Sequence, residues 1–132
     1  MSKPIAIITG ASTGIGKHIS IKLANSYDII LISRNSNKLK LVEEYIKKDG
    51  NDCSVVCADV SDESSVDKIK SKIDINKVDV LVNNAGIGIF NKIIDTSISD
   101  WDIQINTNLR GSFLMTKMVV DKMIENKSGK IV

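Results

Sequence analysis

Three glycines, Gly10, Gly14 and Gly16, stand in the stretch Thr9-Gly10-Ala11-Ser12-Thr13-Gly14-Ile15-Gly16, directly behind the apolar run Ile5-Ala6-Ile7-Ile8. A turn built this way presents backbone N–H groups with few side chains in front of them, the chemistry needed to cradle a phosphate or pyrophosphate. Ile15, Ile19 and Leu23 recur at every fourth position, so a helix should start inside the turn and aim the positive end of its dipole at the same spot. Each glycine has an expected task. Gly10 permits a sharp exit from a strand, Gly14 lets backbone approach the phosphates, and Gly16 lets the helix sit close on the sheet. Ser12, Thr13 and Ile15 complete the predicted binding turn. The spacing G-x-x-x-G-x-G differs from the commoner G-x-G-x-x-G, and no Gly-Lys-Ser/Thr follows it, which excludes a P-loop. From these residues alone, a glycine-rich turn without a ligand stays open as the alternative.

Three further polar stretches carry groups able to recognise a nucleotide: Ser33-Arg34-Asn35, Asp59-Val60 and Asn83-Asn84-Ala85-Gly86. Each follows a short run rich in β-branched residues: Asp28 to Ser33, Cys53 to Cys57, and Val78 to Val82. Continuous runs of this kind suit strands buried on both faces of a parallel sheet. Helices are predicted between them. Asn35-Ser36-Asn37 reads as a turn and cap for a helix whose apolar face is Leu39, Val42, Tyr45 and Ile46, ending near Asp49-Gly50-Asn51. Ser61-Asp62 caps a helix carrying Val66, Ile69 and Ile73. Ser99-Asp100 is expected to cap one long amphipathic helix from Trp101 to about Glu125, with Gly111 placed to bend it. Ser128-Gly129 closes that helix, and Lys130-Ile131-Val132 opens a fifth strand.

Strands alternating with helices imply a doubly wound parallel α/β sheet joined by right-handed crossovers. Ligands in such sheets sit beyond the carboxyl ends of the strands, near the point where strand order reverses. All four polar stretches fall at such ends. In a dinucleotide fold, an acid at the end of the second strand usually holds the adenosine ribose hydroxyls. Here that end carries Ser33 and Arg34, and the nearest acid, Asp28, starts the strand at the wrong edge. A ribose 2′-phosphate would gain a guanidinium from Arg34 and a neutral donor from Ser33 or Asn35, which favours NADP over NAD. An exposed arginine that pairs with nothing is the competing reading.

The composition narrows the function class. The 132 residues hold 18 basic and 16 acidic side chains, a net charge of +2, and 42% are hydrophobic. This balance supplies no electrostatic case for nucleic acid or an anionic membrane, and the apolar content is enough for one domain over 1–132 with its own core. No apolar run approaches the length of a membrane span. Met1 to Pro4 leads directly into the first strand, so a cytoplasmic chain without a signal peptide is expected. If Cys53 and Cys57 share a strand, their Cα atoms are roughly 13 Å apart, whereas a disulfide needs less than about 7 Å. His18 is the only histidine, and no metal site is expected.

The chain resembles the short-chain dehydrogenase/reductase family along essentially its whole length. The resemblance rests on Thr9 to Gly16, Ala58-Asp59-Val60, Asn83-Asn84-Ala85-Gly86 and Asn106-Thr107-Asn108-Leu109-Arg110-Gly111, in that order. It implies a Rossmann-type NAD(P)-binding domain in which the glycine turn takes the pyrophosphate and the Asp59 position contacts adenine. The Asn-Asn-Ala-Gly stretch would support the fourth strand beside the adenosine ribose. It also implies hydride transfer between NADP(H) and a small-molecule alcohol or carbonyl, with Asn108 the first member of an Asn-Ser-Tyr-Lys catalytic set. Many NADP-preferring members carry an arginine at the Arg34 position, and many also carry a basic residue where this chain has Thr13.

In the family the catalytic serine comes just after the Gly129 to Val132 stretch, and a Tyr-x-x-x-Lys helix later still. The only tyrosines here, Tyr27 and Tyr45, are followed four residues on by Leu31 and Asp49. The expectation is therefore a sheet truncated after the start of its fifth strand, which binds cofactor without efficient chemistry. Apolar surface around Leu109, Phe113 and Met118 should be uncovered, and the 101–125 helix should mediate homo-oligomers. A non-catalytic dinucleotide-binding module is the alternative function. A methyltransferase is disfavoured by Arg34 and by the Asn-Asn-Ala-Gly stretch.

Overall fold

The computed structural model describes residues 3–132. Met1 and Ser2, expected directly before the first strand, lie outside the described residues. Five parallel strands form one sheet in the order β3-β2-β1-β4-β5: β1 (Ile5–Thr9), β2 (Asp28–Ser33), β3 (Cys53–Cys57), β4 (Val78–Val82) and β5 (Lys130–Ile131). The chain builds outward from β1 to β3, then crosses back to place β4 on the other side of β1. Strand order thus reverses between β1 and β4, and the two carboxyl ends part to leave a crevice there.

The period-two alternation of the strands divides the core. Ala6, Ile8, Ile29, Leu31, Val80 and Val82 face α1 (Gly14–Leu23) and α2 (Ser36–Lys48), whose Leu39, Val42 and Ile46 complete one cluster. Ile7, Ile30, Ile32 and Leu81 face α3 (Glu63–Lys72) and α5 (Gly111–Glu125), which contribute Val66, Ile69, Met115 and Val119. Leu31, Leu81 and Ile69 are fully buried, and each such side chain stabilises the fold by about 1.5–3 kcal/mol. This is the doubly wound, Rossmann-type architecture, and the predicted bounds of β2, β3 and β4 match the observed ones.

Asn35 and Asp62 cap α2 and α3 as expected, through Lys38 N to Asn35 Oδ1 (3.0 Å) and Ser65 N to Asp62 Oδ2 (2.8 Å). The structure corrects several expectations. The segment after the β4 loop is not one α-helix capped at Ser99-Asp100. It begins as α4 (Ile98–Ile105), with Ser97 Oγ accepting from Asp100 N, and widens into a π-helical segment (Asn106–Arg110) before α5. Gly111 keeps helical dihedrals (φ −59°, ψ −45°), and a Cβ there would stand 2.7 Å from Val60 Cγ2, so the glycine lets the helix seat against the β3–α3 turn. Met118 is buried in the core rather than uncovered, whereas Leu109 and Phe113 are exposed as expected. Tyr45 lies at the edge of the α2 stripe and is exposed. Ile15 likewise leaves the α1 core face, where Gly16 and Ser20 are buried and the expected Ile19 and Leu23 pack against the core. Among the described residues, no helix is long and apolar enough to cross a membrane.

Candidate functional site

The carboxyl ends of β1 to β4 surround a cleft of about 750 Å³. Its floor is the glycine turn, with Gly10, Ser12, Thr13, Gly14 and Ile15 on the wall. One side is Ser33, Arg34, Asn35 and Ser36; another is Ala58, Asp59 and Val60; the far side is Asn84, Ala85, Gly86, Ile87 and Thr107. The topology thus brings together the four polar stretches that the sequence places at strand ends. Gly16, Asn83 and Asn108 are not among the residues that line it.

Close packing explains the first and last of the turn glycines. Gly10 has φ +63°, and a Cβ there would sit 2.9 Å from Ala85 Cα. A Cβ on Gly16 would run into the Gly10 carbonyl and the Asn84 side chain. The turn is then tied to β4 by polar groups. Thr9 Oγ1 accepts from Asn84 N (3.0 Å) and Ala85 N (2.9 Å) and donates to Val82 O (3.3 Å). Asn84 Nδ2 donates to Thr9 O (3.1 Å) and Gly10 O (3.2 Å). These bonds cross the strand-reversal gap and hold it at fixed width.

Each of the other predicted residues has a defined geometry. Ser33 Oγ accepts from Asn35 N (3.1 Å), which folds the β2 exit back on itself and leaves Arg34 exposed at the rim. Arg34 enters none of the ion pairs among the described residues. Asp59 Oδ1 accepts from Ser61 N (2.9 Å) and Ser61 Oγ (2.7 Å). Asn83 N donates to Val132 O, and its Nδ2 donates to Thr116 Oγ1 (3.2 Å), while its buried Oδ1 has no partner among the described residues. Asn108 Oδ1 accepts from Ile87 N and its Nδ2 donates to Ile87 O, both at 2.8 Å, so the amide pairs with that residue as a neighbouring strand would.

Several contributors were not foreseen from the sequence. Ser36, Ala58, Ile87 and Thr107 line the cleft, Thr9 supplies the clamp, and Gln104 Oε1 accepts from Ile89 N (3.0 Å) to pin the loop beyond Ile87. Thr9, Ala58 and Thr107 stand inside stretches already quoted, and Ser36 and Ile87 border them, so membership or adjacency was a usable signal. Gln104, near the end of α4, gave no such signal.

A family model described as "short chain dehydrogenase" matches residues 4–132. A 3-oxoacyl-[acyl-carrier-protein] reductase of Buchnera aphidicola is 34% identical over 135 residues, covering 99% of this chain and 54% of that protein. The (2S)-[(R)-hydroxy(phenyl)methyl]succinyl-CoA dehydrogenase subunit BbsD of Thauera aromatica is 34% identical, covering 97% and 53%. Among solved structures, a metagenomic short-chain oxidoreductase in complex with NADP superposes with a TM-score of 0.93 at 32% identity, over 99% of this chain and 61% of that one. L-sorbose reductase from Gluconobacter frateurii, complexed with NADPH and L-sorbose, gives 0.91 at 27% identity, over 99% and 51%. The chain spans about half the length of the curated relatives it matches.

Proposed function

Because this chain belongs to the short-chain dehydrogenase family, we propose that its cleft holds NADP(H) and that the whole protein transfers hydride between that cofactor and an alcohol or carbonyl substrate. One observation carries the reading: a glycine turn, an arginine outside every ion pair among the described residues and a carboxylate share one cleft at the strand reversal between β1 and β4. The residues fit the group. Nothing stands within 4 Å of the place where a Cβ on Gly14 would be, so the backbone there is open to a pyrophosphate, and α1 begins at that residue. Ser12, Thr13 and Ile15 would flank the phosphates. Arg34, with Ser33 and Asn35 beside it, would meet a ribose 2′-phosphate, and Asp59 with Val60 would border the adenine.

The cofactor supplies the hydride; the residues described here bind and orient it. Asn83 and Asn84 hold β4 in place, and Ala85 with Gly86 forms the adjoining wall. Asn108 is the family's first catalytic position, and here its amide fixes Ile87 on the cleft wall. The 132 residues contain no Tyr-x-x-x-Lys to deliver a proton to a carbonyl oxygen, so by themselves they should form one NAD(P)-binding domain that binds without turnover. We further assign homo-oligomerisation to the α4–α5 face, where Trp101, Leu109 and Phe113 are more than half exposed. A reducing, cytoplasmic setting suits the two free thiols.

A fluorescence titration with NADPH and NADH tests the cofactor. NADPH should bind at least about tenfold tighter, and Arg34→Met should remove most of that preference, the scale of one charge-assisted contact. Failure of both nucleotides to bind, or equal affinity for the two, would refute the reading.

A further inference from the structure

We propose that Arg110 is a positioning residue for the Asp59 edge of the cleft, acting through Ser61; the inference rests on the reading of the cleft as a dinucleotide site. The Asp59 carboxylate does not orient itself. Its Oδ1 takes two hydrogen bonds from Ser61, at 2.9 Å from the backbone N–H and 2.7 Å from the hydroxyl, so the position of Ser61 sets where the carboxylate points. Ser61 is held in turn from across the fold: Arg110 Nε donates to its carbonyl oxygen at 3.3 Å, over 49 residues of sequence.

The neighbouring residue makes that reach possible. Gly111 packs directly on Val60, where any side chain would collide, and this brings the Arg110 stem over the β3–α3 turn. Thr107, on the same π-helical segment, lines the cleft itself. One short segment therefore forms part of the wall and also fixes the turn that carries the opposite carboxylate. The contact works by donation rather than charge, since Arg110 enters none of the ion pairs among the described residues. Being solvent-exposed, it competes with water, so its effect on affinity is modest.

The test uses NADPH titration of the 132-residue chain and four variants. Arg110→Met keeps the stem and removes every donor; it should raise Kd about threefold, the lower range for one exposed hydrogen bond. Arg110→Gln carries an N–H at the same point along the stem as Nε and should restore wild-type affinity. In an Asp59→Ala background, Arg110→Met should add nothing, because its target is gone. Wild-type affinity in the Met variant, a Gln variant as weak as Met, or additive losses in the Asp59→Ala background would each overturn the proposal. Amide exchange at Ser61 and Asp62 reads the same point without ligand: faster in Met, unchanged in Gln, with equal rates in Met and wild type counting against the assignment. A wild-type chain that binds no NADPH defeats the cofactor reading, whereas one that binds while the variants stay silent defeats only the role of Arg110.

Discussion

Replacing Thr9 by valine changes almost no volume but removes one hydroxyl that serves three backbone groups. Thr9 is 1% exposed, and its Oγ1 accepts from the N–H groups of Asn84 and Ala85 while donating to Val82 O. With valine in place, two N–H groups face methyls, and each orphaned donor costs about 1–3 kcal/mol. Asn84 and Ala85 are only partly buried, so water relieves some of this, and the lost bond to Val82 O is long. A total of about 2–4 kcal/mol follows, a large part of the 5–15 kcal/mol typical of a domain. For a chain of this length that is a fall of about 10 °C in Tm. Urea or thermal unfolding followed by circular dichroism measures it, with Thr9→Ser as the control that keeps the oxygen. NADPH affinity should fall with it, because the clamp sets the width between β1 and β4. A valine variant within about 1 kcal/mol of wild type, or a serine variant as damaged as valine, would refute the reasoning.

Gly16→Ala should destabilise by about 1–3 kcal/mol in the same unfolding assay, although alanine ordinarily favours a helix, because its methyl meets the Gly10 carbonyl and Asn84. Alkylation with iodoacetamide should label exposed Cys57 and spare Cys53, whose thiol burial pushes up to about 12; in denaturant both should react, read by mass spectrometry. The Ser64 hydroxyl and the Ser65 N–H hold the Asp62 carboxyl below the usual carboxylate range, so its cap strengthens the fold above about pH 4 and fades as pH falls through the lowered value. Asp62→Asn should flatten that acid limb of a pH–stability profile. Phe113→Glu should shift any self-association toward monomer in sedimentation velocity, while leaving the core intact.

What was legible in the sequence was whatever is set locally. Runs such as Asp28 to Ser33 are too apolar and too short to be anything but buried strands, and Asn35 and Asp62 stand where a helix needs an acceptor for its first free N–H groups. The coincidence of four polar stretches at strand ends followed from topology alone. The misreadings share a different cause. Ser97 and Ser99 are equally plausible caps by type, and only the chain's path through the β4–α4 loop puts the Ser97 hydroxyl opposite Asp100 N. The π turn at Asn106–Arg110 was not foreseen in the expected long helix, and neither was the reach of Gln104, on α4, to Ile89. Met118 looked uncovered because its helix was expected to await a partner, yet α5 turns that residue onto the sheet. The clamp at Thr9 pairs atoms more than 70 positions apart, beyond anything spacing can show.

The strand order also fixes when the crevice can exist during synthesis. The first three β-segments made lie side by side and can pair as each leaves the ribosome, but the partner on the other flank of β1 emerges only after a further helix has been added. Until it docks there is no gap for a nucleotide to enter. Cofactor present in the cell therefore has nothing to grip in the early intermediate, and can draw the nascent chain forward only once β4 pairs with β1.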